Sequence, residues 1–230
     1  MLHPALFMLL GALLIGPARG LLRSALVLLV PLGALALIWQ VPDGIQASVQ
    51  FLQYPIELVE GSPVRRLFAT IFALMAFAGG LFAFRQARWF ELAAAYAYAA
   101  GAIGVSFAGD LITMFLFWEL MALFSTVVVW CGGTPGARAA GIRYAILHLL
   151  GGVILKVGIE GVMVHTGSID VRPMLADSFD HWMILIGILI NAAAPLIAIC
   201  VPMPMAQTMK PTWLTMENAR MRRMLFSSSA

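Results

Sequence analysis

Charge is scarce in this chain: Asp, Glu, Lys and Arg make up 11% of its 230 residues, while 62% are hydrophobic. A soluble domain carries roughly 25% charged residues, so an ordinary water-facing surface is excluded and the chain reads as an integral membrane protein. Cysteine is scarcer still. Cys131 and Cys200 are too few for a disulfide framework or a metal set, and each ends an apolar run, where it reads as inert. His3, His148, His165 and His181 offer no ligand-spaced pair, and no glycine-rich phosphate loop follows a strand. A haem pair, a flavin site and an iron–sulfur cysteine set are also missing, so no cofactor or metal is expected. The net charge of +3 does not point to nucleic acid, because the Arg residues flank apolar runs and are not arranged in basic stripes with interleaved aromatics.

What is there instead is a series of apolar runs. Counting about 20 apolar residues per crossing, spans fall at roughly 4–16, 21–40, 65–84, 92–108, 111–131, 140–164 and 182–201. The first begins almost at Met1 without a basic leader and is expected to be retained. Arg19 and Arg23, Arg85 and Arg88, Arg138 and Arg143, and then Lys210, Arg220, Arg222 and Arg223 follow alternate spans. The intervening loops hold Asp43, Glu57, Glu60, Asp110, Asp170, Asp177 and Asp180, with Arg65, Arg66 and Arg172 as exceptions. Basic loops stay cytoplasmic, which predicts an N-terminus outside and a C-terminal tail inside. Ser62, Asp110, Thr134 and Asp180 precede apolar runs and are expected to cap helices. The loop "ASVQFLQYPIELVEGSP" alternates enough to form a short hairpin over the membrane surface. Small residues in "FAGGLFAF" and "AAAYAYAAGAIG" read as close helix packing.

In "GDLITMFLFWELMALFSTVVVW" a carboxylate, Glu119, stands near the middle of a span. Burying it there costs on the order of 2.5–3.5 kcal/mol, so it must face the interior, find a partner or discharge. Two readings are open: a relay that loads and releases a proton as its partner moves, or a protonated side chain that glues helices together. In "RYAILHLLGGVILKVGIEG", His148, Gly152, Lys156 and Glu160 recur every fourth residue along one helix face. Lys156 and Glu160 can neutralise each other or conduct, and His148 can pack or pass a proton.

The stretches "SPVRRLFATIFALMAFAGGLFAF", "YAYAAGAIGVSFAGDLITMFLFWELMALFSTVVVW" and "RYAILHLLGGVIL", in this order, resemble the N-terminal half of the proton-translocating membrane subunits shared by Mrp-type multisubunit Na+/H+ antiporters and respiratory complex I, with the D-type antiporter subunits nearest. The resemblance covers roughly residues 20–200. It implies an all-α polytopic fold, the front part of a 14-helix architecture built from inverted repeats. By the resemblance, Glu119 is the proton carrier, coupled to a lysine on a nearby helix. The position matching that lysine lies in "LINAAAPLIAICVPMPMAQ" and is Asn191, so the partner is sought elsewhere, with Lys156 one candidate. His148 and Glu160 join Lys156 as candidates for the rest of the polar path.

The expected organisation is a transmembrane domain over 1–201 and a divergent tail over 202–230. There "PMPM" stands where the family has Pro-Asp-Ala-Tyr, as a change of reading frame would produce; a naturally short paralogue is the alternative. The implied function is that of a subunit of a monovalent cation/proton antiporter in the bacterial inner membrane, a transporter component rather than an enzyme. Its expected partners are the other subunits, protons, monovalent cations and lipid. Two alternatives stay open: a membrane-arm subunit of a complex I-type oxidoreductase, or a truncated product without transport of its own.

Overall fold

The computed structural model describes residues 2–51, 53–83 and 85–200, with side chains left undescribed for Phe51 and 195–200. Among the described residues seven helices follow in chain order: α1 (Pro4–Ile15), α2 (Gly20–Ile38), α3 (Pro63–Ala83), α4 (Trp89–Phe107), α5 (Leu111–Trp130), α6 (Pro135–Thr166) and α7 (Phe179–Cys200). The helices from α2 to α6 are each long and apolar enough to cross a membrane, and α1 is a shorter apolar helix. The expectation of an all-α polytopic protein therefore holds, with the hairpin as its one addition among the described residues. The tail expected over 202–230 lies outside them.

Polar side chains set the helix ends. Asp110 Oδ1 accepts from the amides of Ile112 and Thr113, both at 2.8 Å, and so starts α5. Thr134 accepts from Ala137 N at 3.0 Å, with Pro135 in the first helical position where a missing amide costs nothing. Ser62 accepts from Arg65 N at 3.3 Å. The expected cap at Asp180 is displaced: α7 begins one residue earlier, Ser178 accepts from His181 N at 3.4 Å, and Asp180 is left in the first turn. There its carboxylate meets His165 at the end of α6 at 2.6 Å. An acidic residue in the first turn is still favourable, which is why the sequence pattern looks like a cap.

Strands β1 (Gly44–Phe51) and β2 (Tyr54–Gly61) pair antiparallel, with Phe51 opposite Tyr54 and an irregularity around Ala47. The hairpin is held to the helix ends beneath it. His3 Nδ1 accepts from Ala5 N at 3.0 Å, which leaves Nε2 to donate to Leu58 O at 3.2 Å. Asp110 Oδ2 accepts from Glu57 N at 2.7 Å and from Thr113 Oγ1 at 2.6 Å, so a carboxylate only 1% exposed has every near donor satisfied. Asp110 also bridges to Asp170 in the α6–α7 loop, while at the opposite end Arg88 donates to Cys131 O at 2.7 Å. The acidic and basic loops thus gather at opposite ends of the bundle. The three basic exceptions on the acidic end are each neutralised locally: Arg65 by Glu60, Arg66 by Asp43 and Arg172 by Asp170.

Helix α4 occupies the centre, packed against α1, α3 and α5, while α6 packs between α5 and α7. Among the buried residues of α4, Ala94, Ala97, Ala100, Gly101 and Gly104 are small enough to let neighbours approach, and the larger Leu92, Tyr96, Ile103 and Phe107 fill the spaces between them. Large apolar side chains such as Leu21, Leu67, Leu116 and Leu149 point outward, as lipid-facing surfaces require. Pro31 inside α2 leaves one flaw, since it has no amide to give the carbonyl four residues back. That carbonyl belongs to Val27, and the Tyr96 hydroxyl of α4 donates to it across α3. Gly80 makes the approach possible: a Cβ there would stand 2.0 Å from the Tyr96 oxygen.

Candidate functional site

Glu119 projects from α5 toward α6 and rests on Gly152, where a Cβ would lie 2.5 Å from Oε1 and 3.1 Å from Cδ. The adjacent Gly151 does the same for α7, its missing Cβ leaving room for the Asn191 amide at 2.1 Å. Two successive glycines in α6 therefore receive a polar side chain from the helix on either side. Glu119 Oε1 is buried with no hydrogen-bond partner. A buried carboxyl oxygen at membrane depth with no hydrogen bond costs free energy until a proton, a water or a moving group satisfies it.

One turn from Gly152 along α6, His148 is 7% exposed and its Nε2 also has no partner. The Tyr144 ring packs on it edge-on, with centroids 4.3 Å apart, and the Tyr144 hydroxyl donates to Ser125 Oγ at 2.8 Å. Asn191, 3% exposed, satisfies both ends of its amide when nitrogen donates to His148 O at 3.2 Å and oxygen accepts from Trp118 Nε1 at 3.1 Å. Asn191 thus ties α5, α6 and α7 together at the level of Glu119.

Lys156 and Glu160 are in a different setting. They pair with each other at the spacing of one turn, with side chains 43% and 58% exposed, on the outer side of α6. Of the sequence candidates, the structure brings Glu119 and His148 to the same interior region and leaves Lys156 and Glu160 as a self-neutralised pair outside it. Trp118, Ser125, Tyr144 and Gly151 were not singled out from the sequence, and Gly152 only as one member of the His148–Glu160 face, without the role of a cradle. The cradle had a signal, two adjacent glycines in a helix that would otherwise avoid them, but their partners lie on other helices.

Outside the membrane-spanning segments, burial and the neighbouring carboxylates Glu60, Asp170 and Asp110 push the Glu57 carboxyl up, with Arg65 opposing. Hydrogen bonds from Arg172 and Ser168 hold Asp170 below the usual carboxylate range. No cluster of three metal-ligating side chains occurs among the described residues.

Residues 108–218 match the family described as NADH:quinone oxidoreductase/Mrp antiporter, transmembrane. The D-type subunit of the Na(+)/H(+) antiporter of Alkalihalophilus pseudofirmus is 25% identical over 120 residues, which is 48% of this chain and 24% of that protein. One component of the membrane-bound sulfane sulfur reductase, an archaeal respiratory membrane complex, superposes with a TM-score of 0.69 at 22% identity, covering 84% of this chain and 33% of that component. The matched region therefore spans about a quarter of the curated relative and a third of the solved chain. Glu119 and the Gly151-Gly152 cradle fall inside the region matched by the family.

Proposed function

We propose that this chain is a member of the membrane-subunit family that its residues 108–218 match, and that it contributes a proton-carrying site to a multisubunit monovalent cation/proton antiporter. It sits in the bacterial inner membrane with its acidic loop end outside. Glu119 takes up and releases the proton. The observation behind this reading is the Glu119 carboxyl itself, lodged between α5 and α6 with a buried oxygen that no described group satisfies. A helix-gluing carboxyl is expected to use that oxygen on a neighbouring helix, and the absence of a described partner for it supports the relay reading. Lys156 and Glu160, paired with each other, are the outer part of the polar path, available to a partner or to a later helix of the same architecture.

Exchange in inverted vesicles holding the assembled complex tests the proposal. Glu119→Gln keeps the shape and removes the titrating group, so Na+/H+ exchange should fall by roughly 100-fold or more, the scale of losing a positioned proton-transfer group, while assembly is unchanged. Full exchange in this variant would overturn the assignment. A redox-driven membrane arm uses the same carboxyl; it becomes the better reading if unaltered vesicles move protons only when an electron donor is supplied.

A further inference from the structure

A groove of about 310 Å³ runs between α3 and α4, with Val128 of α5 at its side. On α3 its lining starts at Phe72, in the middle of the helix, and reaches Ala83; on α4 it extends from Glu91 to Ala99. At 1.5 Å per residue the run from Phe72 to Ala83 is about 16 Å long, half of a hydrocarbon core of roughly 30 Å. The groove therefore occupies one leaflet, the one at the Arg88 end of the bundle. Two adjacent glycines lie in this run. Gly80 is explained by the close approach of Tyr96, but a Cβ on Gly79 would meet nothing within 4 Å. Glycine weakens a helix interior, and here it leaves open space and no closer contact. Met75, one turn before it, is 65% exposed, so the space opens on the lipid-facing side.

The shape and the charges select the occupant. Phe72, Met75, Leu92 and Val128 give a water no polar partner, and the Tyr96 hydroxyl is spent on Val27 O, while an empty groove forfeits van der Waals contact along its walls. A helix of another subunit crossing the membrane needs a seat about twice as high. An acyl chain of one leaflet has the right length. At the Arg88 end the groove is closed by Glu91, half-buried, whose carboxylate makes no hydrogen bond or ion pair with another described residue. Its place in the first turn of α4 suits its charge but does not account for its facing an apolar groove. Arg88, three residues earlier, is exposed. It gives one guanidinium nitrogen to Cys131 O and lies 4.6 Å over the Phe90 ring, which leaves further donors for an acceptor at the rim. The mouth thus offers one anion and one cation side by side.

We propose that this groove is a binding site for one aminophospholipid, phosphatidylethanolamine, from the leaflet at the Arg88 end. One acyl chain lies along Gly79 between α3 and α4, the phosphodiester accepts from Arg88, and the ammonium meets the Glu91 carboxylate. An anionic lipid such as phosphatidylglycerol satisfies Arg88 but brings no cation to Glu91. The site is independent of the role of Glu119.

Photo-crosslinking in vesicles that hold the assembled complex tests the site, with phosphatidylethanolamine carrying a diazirine in one acyl chain as the probe. Label is expected on Met75, Gly79 and Ala95 severalfold above Leu81 and Phe82, which are exposed on the same part of α3 but outside the groove. Excess unlabelled phosphatidylethanolamine should suppress the groove signal severalfold more than an equal amount of phosphatidylglycerol. Glu91→Gln removes the partner of the ammonium, so it should bring the two competitors level. Gly79→Leu fills the open space with a better helix former, so the complex should assemble while groove labelling falls severalfold. Labelling no stronger in the groove than at Leu81 and Phe82, including a groove left unlabelled because a partner subunit covers it, overturns the site. Equal competition by the two lipids in unaltered protein, or an unchanged preference in Glu91→Gln, overturns the headgroup assignment, and the latter variant decides if Gly79→Leu does not assemble. Full exchange in Glu119→Gln removes the proton carrier and leaves the lipid site standing.

Discussion

Replacing Gly152 by Ala is expected to lower cation/proton exchange by about 10- to 100-fold while leaving assembly and thermal stability nearly unchanged. The added methyl would stand 2.5 Å from Glu119 Oε1 and 3.3 Å from Oε2, closer than the nearer oxygen can tolerate. What yields is the end of a flexible side chain, so the fold absorbs the clash cheaply. Alanine is also the better helix former by about 1 kcal/mol, which offsets the remaining strain. The carboxyl has to move by about an ångström, and a displacement of that size in a reacting group can cost on the order of 100-fold. Shortening the acid should restore the fit: Gly152→Ala combined with Glu119→Asp is expected to exchange faster than Gly152→Ala alone. A single-variant loss accompanied by poor assembly, with no recovery in the pair, would mean that Gly152 serves helix packing and not the carboxyl.

The second large effect is on stability. Tyr96→Phe removes the donor that satisfies Val27 O beside Pro31, and an orphaned carbonyl in the buried core costs about 1–3 kcal/mol. Pro31→Ala returns an amide to the same carbonyl, so in that background Tyr96→Phe should cost much less. The resulting coupling in a double-mutant cycle, measured by unfolding in detergent, is expected to be at least about 1 kcal/mol. Equal losses in both backgrounds would show that Tyr96 acts through packing, and that the proline is accommodated in some other way.

The membrane character and the order of the spans were legible because they rest on properties that each segment carries by itself: length, hydropathy and the polar side chain ahead of the first turn. The hairpin was legible for the same reason, as was the Lys156–Glu160 pair, whose spacing of four guarantees contact on a helix. The displacement at Asp180 shows the limit of such local signals. Ser178 and Asp180 are both plausible helix starters, and the contact of Asp180 with His165, which links two helices, was not visible from either segment. Charge alternation gave the two ends of the bundle, but the reason for the exceptions at Arg65, Arg66 and Arg172 appeared only when each was found beside a carboxylate.

The depth of Glu119 was legible, and its surroundings were not. That its carboxyl lands on Gly152, while Asn191 lands on Gly151, depends on the vertical register of three helices, which no single-helix periodicity encodes. The Asn191 substitution was read as the loss of a charge; its contacts show what the residue gains, a link from Trp118 to the backbone at His148. Pro31 was a missed opportunity, because a proline inside a span always frees a carbonyl and a donor for it could have been sought.

Whether Glu119 carries the proton is decided by difference infrared spectroscopy of the assembled complex in lipid while a proton gradient is imposed and reversed. A protonated-carboxyl stretch is expected to grow and decay with the gradient in unaltered protein and to be missing in Glu119→Gln. A gradient-dependent carboxyl band of full size in Glu119→Gln would contradict that assignment, placing the proton on another group.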